Sequence, residues 1–158
     1  MRLDYTIGDV SPYINWIYFF HAWGTSGMPQ HDKLRLQAEA EERLRQCDGR
    51  YATHAVFRLT DAHSDGDDIV VDGVDGRIPL LRQQQAGSSC LCLSDFVSPV
   101  SDRLGVFATT VDMGLETDFA ADPYEKMMMQ LLADRLAEAT AERMHEERAA
   151  EAAQSKVL

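Results

Sequence analysis

The segment from Tyr124 to Arg148 carries ionisable side chains at a spacing that could address a cationic ligand. Acidic and imidazole groups recur every three to four residues, at Asp134, Glu138, Glu142 and His145. Residues so spaced share one face of a helix. Carboxylates on that face could line a groove and pair with a cation. The same pattern is typical of a solvated helix face, so the helix alone does not decide between the two interpretations.

A second candidate is Asn15, which interrupts an apolar segment. Ser11 and Pro12 form a typical N-cap and first-turn pair, and Gly24 is a typical helix stop, so they predict a helix between them. That helix is apolar nearly all round and should be buried on most sides. A buried Asn15 needs hydrogen-bond partners. It either ties the helix to a neighbouring loop or contacts a ligand.

Two other clusters contain residue types that bind metals. The acidic turn from Asp65 to Asp68 lacks the spacing and the final Glu of an EF-hand calcium loop. Cys90 and Cys92 point to the same face of a predicted strand, but no second pair accompanies them and the spacing of a redox motif is absent. We expect small buried apolar side chains there, and the sequence indicates neither a metal site nor a catalytic residue.

Composition limits the classes of function. The 158 residues are typical of one domain, with 45% hydrophobic and 26% charged residues. A net charge of -11 argues against binding to nucleic acid or to an anionic membrane. The apolar run from Trp16 to Trp23 is too short to span a bilayer. Without a recognisable signal peptide, and with three cysteines, we expect a cytoplasmic protein.

The local patterns predict strands grouped between helices. Besides the helix that ends at Gly24, helices are predicted at His31–Cys47 and Tyr124–Arg148. Strands are predicted at His54–Thr60, from Ile69, at Arg77–Leu81, Ser88–Phe96 and Leu104–Val111, with a long acidic loop before Ile69. This order favours an α+β fold with a mainly antiparallel sheet, flanking helices and a long C-terminal helix. We expect one domain over residues 1–148 and a frayed tail over 149–158.

Two helices have predicted buried faces. On the long helix, the apolar stripe consists of Met128, Met129, Leu132, Leu136 and Ala139, and Asp122 with Pro123 should start the helix. On the polar helix His31–Cys47, the inward positions are expected at Leu34, Ala38 and Leu44, with Leu36 as an additional candidate.

Short segments along the whole chain match one known family. They are Asn15-Trp16 with Phe19-Phe20, Gly66 to Ile69, Leu81 to Gln84, Cys92 to Val97 followed by Pro99, Gly105 to Ala108, and Leu132 to Ala139 leading to His145-Glu146. In this order they resemble the C-terminal activation domain of cobalamin-dependent methionine synthase. The resemblance implies an α+β fold with a twisted antiparallel sheet.

The resemblance also implies a function. In that family the domain binds S-adenosylmethionine and presents its methyl group to oxidised, inactive cobalamin, and a flavodoxin-like donor supplies an electron. It implies that Glu138 contacts S-adenosylmethionine and that Asp134 lies at the interface with the cobalamin domain. Asn15 stands where the family has an Asp that contacts the same ligand. Carboxylates suit the sulfonium and ammonium groups of that ligand.

The sequence departs from the family in two respects. Asn15 supplies no charge, and the Arg-Pro-Ala-Pro-Gly-Tyr segment that completes the family's binding site does not occur between Ala149 and Leu158. We therefore expect an incomplete S-adenosylmethionine site. Cobalamin would be reached only through a partner chain, so the chain is at most a non-autonomous part of a methyltransferase.

Three hypotheses follow. The chain is a standalone activation subunit acting on a separate cobalamin-binding methionine synthase chain. Alternatively, it is a fold relative that has lost S-adenosylmethionine binding and serves as a homodimeric protein-interaction module. A third possibility is a small-molecule binding protein with a new ligand in the old groove.

Overall fold

The computed structural model describes residues 1–85 and 89–154, with side chains described through residue 149. Short 3-10 turns occur at Ser11–Tyr13 and Leu93–Phe96. The helices are α1 (Ile7–Val10), α2 (Trp16–Trp23), α3 (Gln30–Cys47), α4 (Gly114–Thr117) and α5 (Pro123–Gln154). The strands are β1 (Arg2–Thr6), β2 (Ala52–Asp65), β3 (Asp68–Val71), β4 (Arg77–Pro79) and β5 (Asp102–Val111).

The strands form an antiparallel sheet in the order β1-β2-β3-β4, and β5 also pairs with β2. From β2 to β5 the strands follow one another without an intervening α-helix, as the sequence predicts. Strand β1, which precedes α1, was not predicted. The predicted α+β class, with its mainly antiparallel sheet and long C-terminal helix, is confirmed.

The chain divides into two compact units. The first contains Met1–Val56 and Ala108–Leu158, and the second contains Phe57–Phe107. Strands β2 and β5 contribute residues to both units. The proposal of one domain over residues 1–148 with a frayed tail from residue 149 stays a prediction.

Helix α5 is the centre of the first unit. Its start is as predicted, because Asp122 Oδ1 accepts the backbone N–H groups of Tyr124 at 2.8 Å and Glu125 at 3.0 Å, and Pro123 opens the helix. It packs against α1, α2, α3, α4 and the Ser11–Tyr13 turn. The predicted apolar stripe is confirmed as buried, and further buried positions extend it: Met128, Met129, Leu132, Ala133, Leu136, Ala139, Thr140 and Met144.

Helix α2 differs from the prediction in its start and in its burial. It begins at Trp16 rather than near Ser11, because Ile14 adopts an extended backbone that ends the preceding 3-10 turn. The prediction that α2 is buried on most sides is also wrong. Phe19 is buried, whereas Ile17 and Tyr18 are 64% and 57% exposed. The helix therefore covers the core with one side and presents an apolar side to solvent.

Helix α3 is nearly as predicted in length but buries a different stripe. Leu44 lies inward as expected and Leu36 joins it, while Leu34 and Ala38 are exposed. Ala40 and Cys47 complete the buried row. The four inward positions are three or four residues apart and therefore lie on one face of α3. Two of them, Ala40 and Cys47, are small, so α3 can approach α1 and α5 closely.

In the second unit, two predictions about strands are wrong. Strand β2 continues to Asp65, and the expected long acidic loop is a tight turn at Gly66 and Asp67, with a positive φ of 63° at Gly66. The polar side chains near the end of β2 remain in contact with solvent, whereas Ala62 of the same strand is buried. Within the predicted strand Ser88–Phe96, residue 88 lies outside the described residues, and the described remainder contains a 3-10 turn instead of a strand.

Arg82 explains the irregular conformation of that segment. Its guanidinium donates hydrogen bonds to the carboxylates of Asp67 and Asp95, at 2.7 to 3.0 Å, and to the carbonyl of Cys90 at 2.8 Å. These charge-assisted bonds hold the chain in a loop. Burial of both cysteines was expected, but only Cys92 is buried and Cys90 is exposed.

A histidine joins three parts of the first unit. The ring nitrogens of His54 lie 2.5 Å from Asp4 Oδ1 and 2.9 Å from Asp112 Oδ1. The bond to Asp112, and then that to Asp4, raise the pKa of the His54 imidazole above its usual value, against the opposing effect of burial. Arg2 Nη2 lies 3.4 Å from the ring, so the cluster contains a second cation. The folded state thus favours the imidazolium form.

We predict that H54Q costs more free energy of unfolding at pH 6 than at pH 9. Folding raises the pKa of His54, so its imidazolium form stabilises the folded state. This stabilisation is fully present below the pKa of the unfolded chain, about 6.5, and is lost as the pH rises through the pKa of the folded protein. Urea denaturation at both pH values measures the difference. The exposed-histidine variant H21Q is the control, and an H54Q loss that is equal at both pH values would contradict the prediction.

Candidate functional site

The acidic face of α5 is exposed, as the sequence predicts. Asp134, Glu138, Glu142 and His145 all lie on the solvent side, away from the buried stripe. Asp134 and Glu138 are one helical turn apart and therefore neighbours. We refer to these four residues as the acidic face.

Glu138 is held by a hydrogen bond from its own helix. Arg135 Nη1 donates to Glu138 Oε2 at 2.6 Å, while the Glu138 side chain remains 57% exposed. Within the described residues, Oε1 of Glu138 has no protein donor. A cationic group arriving from solvent can therefore pair with this carboxylate without breaking the bond to Arg135.

Arg135 is a site residue that sequence reasoning missed. Its side chain is only 16% exposed, and its Nε–H is buried without a partner among the described residues. A buried donor left without an acceptor is costly. The Arg135–Glu138 spacing of three residues was the available signal, because oppositely charged residues so spaced pair on a helix. The partial burial of Arg135 was not visible in the sequence.

Asn15 is the N-cap of α2 and not a buried side chain, so the expectation of burial is wrong. Its Oδ1 accepts the backbone N–H of Ile17 at 3.1 Å, and the residue is exposed. The cap satisfies one of the free N–H groups at the helix start. The amide NH₂ of Asn15 is available to a ligand, and its Oδ1 keeps a second lone pair beside the capping bond.

Two contacts orient α2 against α5. The hydroxyl of Tyr13 donates to Glu146 near the far end of α5, and the rings of Trp23 and Tyr124 meet edge to face at 5.5 Å near its start. The two helices therefore run antiparallel. Asn15 lies nearer the Glu146 end, and among the described residues no hydrogen bond joins it to Asp134 or Glu138.

The carboxylates of the acidic turn Asp65–Asp68, considered above as a metal site, form ion pairs with arginine side chains. Arg77 pairs with Asp65 at 2.6 Å and lies 3.5 Å from Asp68, while Arg82 holds Asp67. Within the described part of the chain, no group of three His, Cys, Asp or Glu residues could hold a metal ion. Among the described residues, no helix combines the length and apolarity needed to cross a membrane.

The first unit also contains cavities away from the acidic face. One of about 240 Å³ is lined by residues of α3 and by Gly8, Ser11 and Trp16. A wider one of about 430 Å³ lies beside α2, where Ile17, Phe20 and His21 line it. Neither includes Glu138 or Asp134.

Comparison with known proteins identifies the family that has this fold. The sequence model of the vitamin B12 dependent methionine synthase activation domain matches residues 6–154. The chain belongs to that family, and the resemblance noted from its motifs is confirmed.

A solved structure provides a second comparison. It is described as the MetH reactivation domain bound to AdoHcy, and it matches with a TM-score of 0.77 and 32% sequence identity. The match covers 92% of this chain and 54% of the other. This chain therefore spans about half the length of that relative.

The two faces of α5 should respond differently to substitution. We predict that L136A lowers the free energy of unfolding by about 2 to 5 kcal/mol, because it leaves a cavity in the buried stripe. E138Q, two residues away on the exposed face, should change it by less than about 0.5 kcal/mol. Chemical denaturation of both variants tests this, and a large loss in E138Q would show that Glu138 is structural.

Proposed function

We propose that this chain is a separate activation subunit that supports reductive remethylation of cobalamin on another chain, within a split methionine synthase of methionine biosynthesis. Membership of the activation-domain family supports this proposal. A relative whose description includes bound AdoHcy supports a ligand of the S-adenosyl type. The observation that carries the proposal is the exposed Glu138 carboxylate, with one oxygen fixed by Arg135 and the other open to a cation.

In this proposal S-adenosylmethionine supplies the methyl group, activated by its sulfonium charge. Glu138 binds a cationic group of that ligand, since a carboxylate stabilises a nearby positive charge. Asp134, one turn away and exposed, contributes to the surface that meets the cobalamin-carrying partner. Asn15 contributes hydrogen bonds but no charge, and its oxygen also caps α2.

The residues fit an S-adenosyl ligand only in part. Glu138 supplies a suitable negative charge, whereas Asn15 is neutral and shares its oxygen with the cap of α2. We therefore assign the chain the role of a non-autonomous component whose site is completed by the partner. Cobalamin belongs to that partner in this proposal.

Isothermal titration tests the incomplete site. We predict that the isolated chain binds S-adenosylmethionine weakly or not at all. A low-micromolar dissociation constant, worth about 7 to 8 kcal/mol, would contradict this.

Addition of a cobalamin-binding methionine synthase chain should strengthen the binding. Under those conditions we predict that E138Q weakens binding by about 1.5 to 3 kcal/mol, the range for hydrogen bonds to charged groups. E142Q, one turn further along the same face, is the matched control and should bind normally. Equal binding by E138Q and the unsubstituted chain would remove Glu138 from the site.

A second candidate function is a homodimeric interaction module without S-adenosylmethionine binding. One observation within the second unit favours it. Three large apolar side chains of this unit are highly exposed: Leu81 at 97%, Val100 at 88% and Phe96 at 73%. Exposed apolar groups in such numbers tend to mark interfaces, and twofold dimers are the commonest assemblies.

Sedimentation velocity distinguishes this candidate. We predict a concentration-dependent shift toward the mass of a dimer, and F96S should reduce it by removing apolar contact area. S101A, a small exposed change in the same unit, serves as the control. A monomer at high micromolar concentration would contradict self-association.

A further inference from the structure

The cavity of about 240 Å³ in the first unit combines an apolar wall with two carboxylates. It lies where α1 and the start of α2 meet the second half of α3, and it contains none of the residues of the acidic face. Binding sites for small molecules are usually concave and largely apolar, with a few convergent polar groups. This cavity has that composition.

Trp16 and Leu44 form the apolar wall. Leu44 is 3% exposed. The indole ring of Trp16 meets Phe19 edge to face with centroids 5.3 Å apart and lies 6.5 Å from Phe20, so neighbouring rings position it. An indole held in this way presents a surface that attracts both aliphatic groups and cations.

Asp48 and Glu41 bring negative charge to the same cavity. Asp48 Oδ1 accepts the backbone N–H of Gly8 at 3.0 Å, and Glu41 Oε1 accepts Nε2 of Gln37 at 2.8 Å. The remaining oxygen of each carboxylate has no donor among the described residues. Each carboxylate is therefore anchored through one oxygen and can accept a ligand hydrogen bond through the other.

Gly8 allows this arrangement of Asp48. A Cβ atom added at Gly8 would lie 2.9 Å from Asp48 Oδ2, closer than such atoms approach in proteins. Any other residue would have to displace the carboxylate oxygen that is still available. The absence of a side chain at Gly8 therefore lets this oxygen keep its position.

Arg45 also borders the cavity, but its guanidinium forms an ion pair outside the cavity. Its Nε and Nη2 donate to Glu42 Oε2 at 3.1 and 2.7 Å on the exposed side of α3. With Arg45 paired to Glu42, Glu41 and Asp48 leave the cavity net negative. A cation is favoured over an anion or a neutral molecule.

We propose that this cavity binds a primary ammonium group carried on a short aliphatic chain. The ammonium donates hydrogen bonds to the available oxygens of Glu41 and Asp48, and the aliphatic chain packs against Trp16 and Leu44. An alkylammonium group has three donors and is ionised at neutral pH, as the lysine side chain is. The proposal does not depend on S-adenosylmethionine binding and involves other residues.

The test uses n-butylammonium chloride as the probe and 1-butanol as its uncharged counterpart. The readout is the indole N–H signal of Trp16 in an ¹H–¹⁵N correlation spectrum of the full chain, assigned with the W16F variant. We expect n-butylammonium to shift that signal saturably and 1-butanol to leave it nearly unchanged at the same concentration. Equal responses to both probes would overturn the proposal, because they would reveal an apolar cavity without charge selection.

Substitutions locate the ammonium group. E41Q and D48N keep the carbonyl acceptors that bind Gln37 and Gly8 but remove the charge, so each should weaken binding by about tenfold or more. E142Q on α5 is the matched control and should bind n-butylammonium normally. Unchanged affinity in both E41Q and D48N, with an unchanged unfolding midpoint, would overturn the proposal.

Free leucine is a second probe, which distinguishes a site for an alkylammonium group from a site for an amino acid. Its ammonium group is the same, but its carboxylate would approach Glu41 and Asp48, so it should bind more weakly than n-butylammonium. Tighter binding of leucine would overturn the proposed ligand class. Because Glu41 and Asp48 lie outside the acidic face, failure of this proposal is distinguishable from failure of the proposed S-adenosylmethionine site.

Discussion

Burial of the apolar stripe of α5 is the interaction on which the first unit depends. Met128, Leu132 and Leu136 are fully buried, and every other helix of that unit packs against α5. Burying each such side chain is worth roughly 1.5 to 3 kcal/mol. The stripe fixes the rotation of α5 about its axis and thereby turns the acidic face toward solvent. The orientation of Glu138 is thus a consequence of core packing.

The sequence predicted α5 well because its signals are local. Asp122 and Pro123 mark the start, and the apolar period places the stripe within one helix. The acidic face follows from the same period, as do its exposure and the neighbour relation of Asp134 and Glu138. The motif around Leu132 to Ala139 led to the family, which the comparison confirms.

Other features depended on contacts between distant residues and could not be predicted in the same way. The segment after Cys90 looks like a strand, but Arg82 holds it in a loop through Asp67 and Asp95. Asn15 lies in an apolar run that suggested burial, yet its own helix uses it as a cap at the surface. The buried Nε of Arg135 depends on what packs around α5.

In the proposed function, this chain enables methyl transfer to cobalamin on a separate protein. The direct measurement supplies a cobalamin-binding methionine synthase chain in its oxidised form with a flavodoxin-type electron donor and S-adenosylmethionine labelled in its methyl group. One electron and one methyl group must reach each cobalamin, and S-adenosylhomocysteine must leave. The account predicts that label reaches cobalamin only when this chain is present, and less with E138Q. Label transfer that is equal with and without the chain would contradict it.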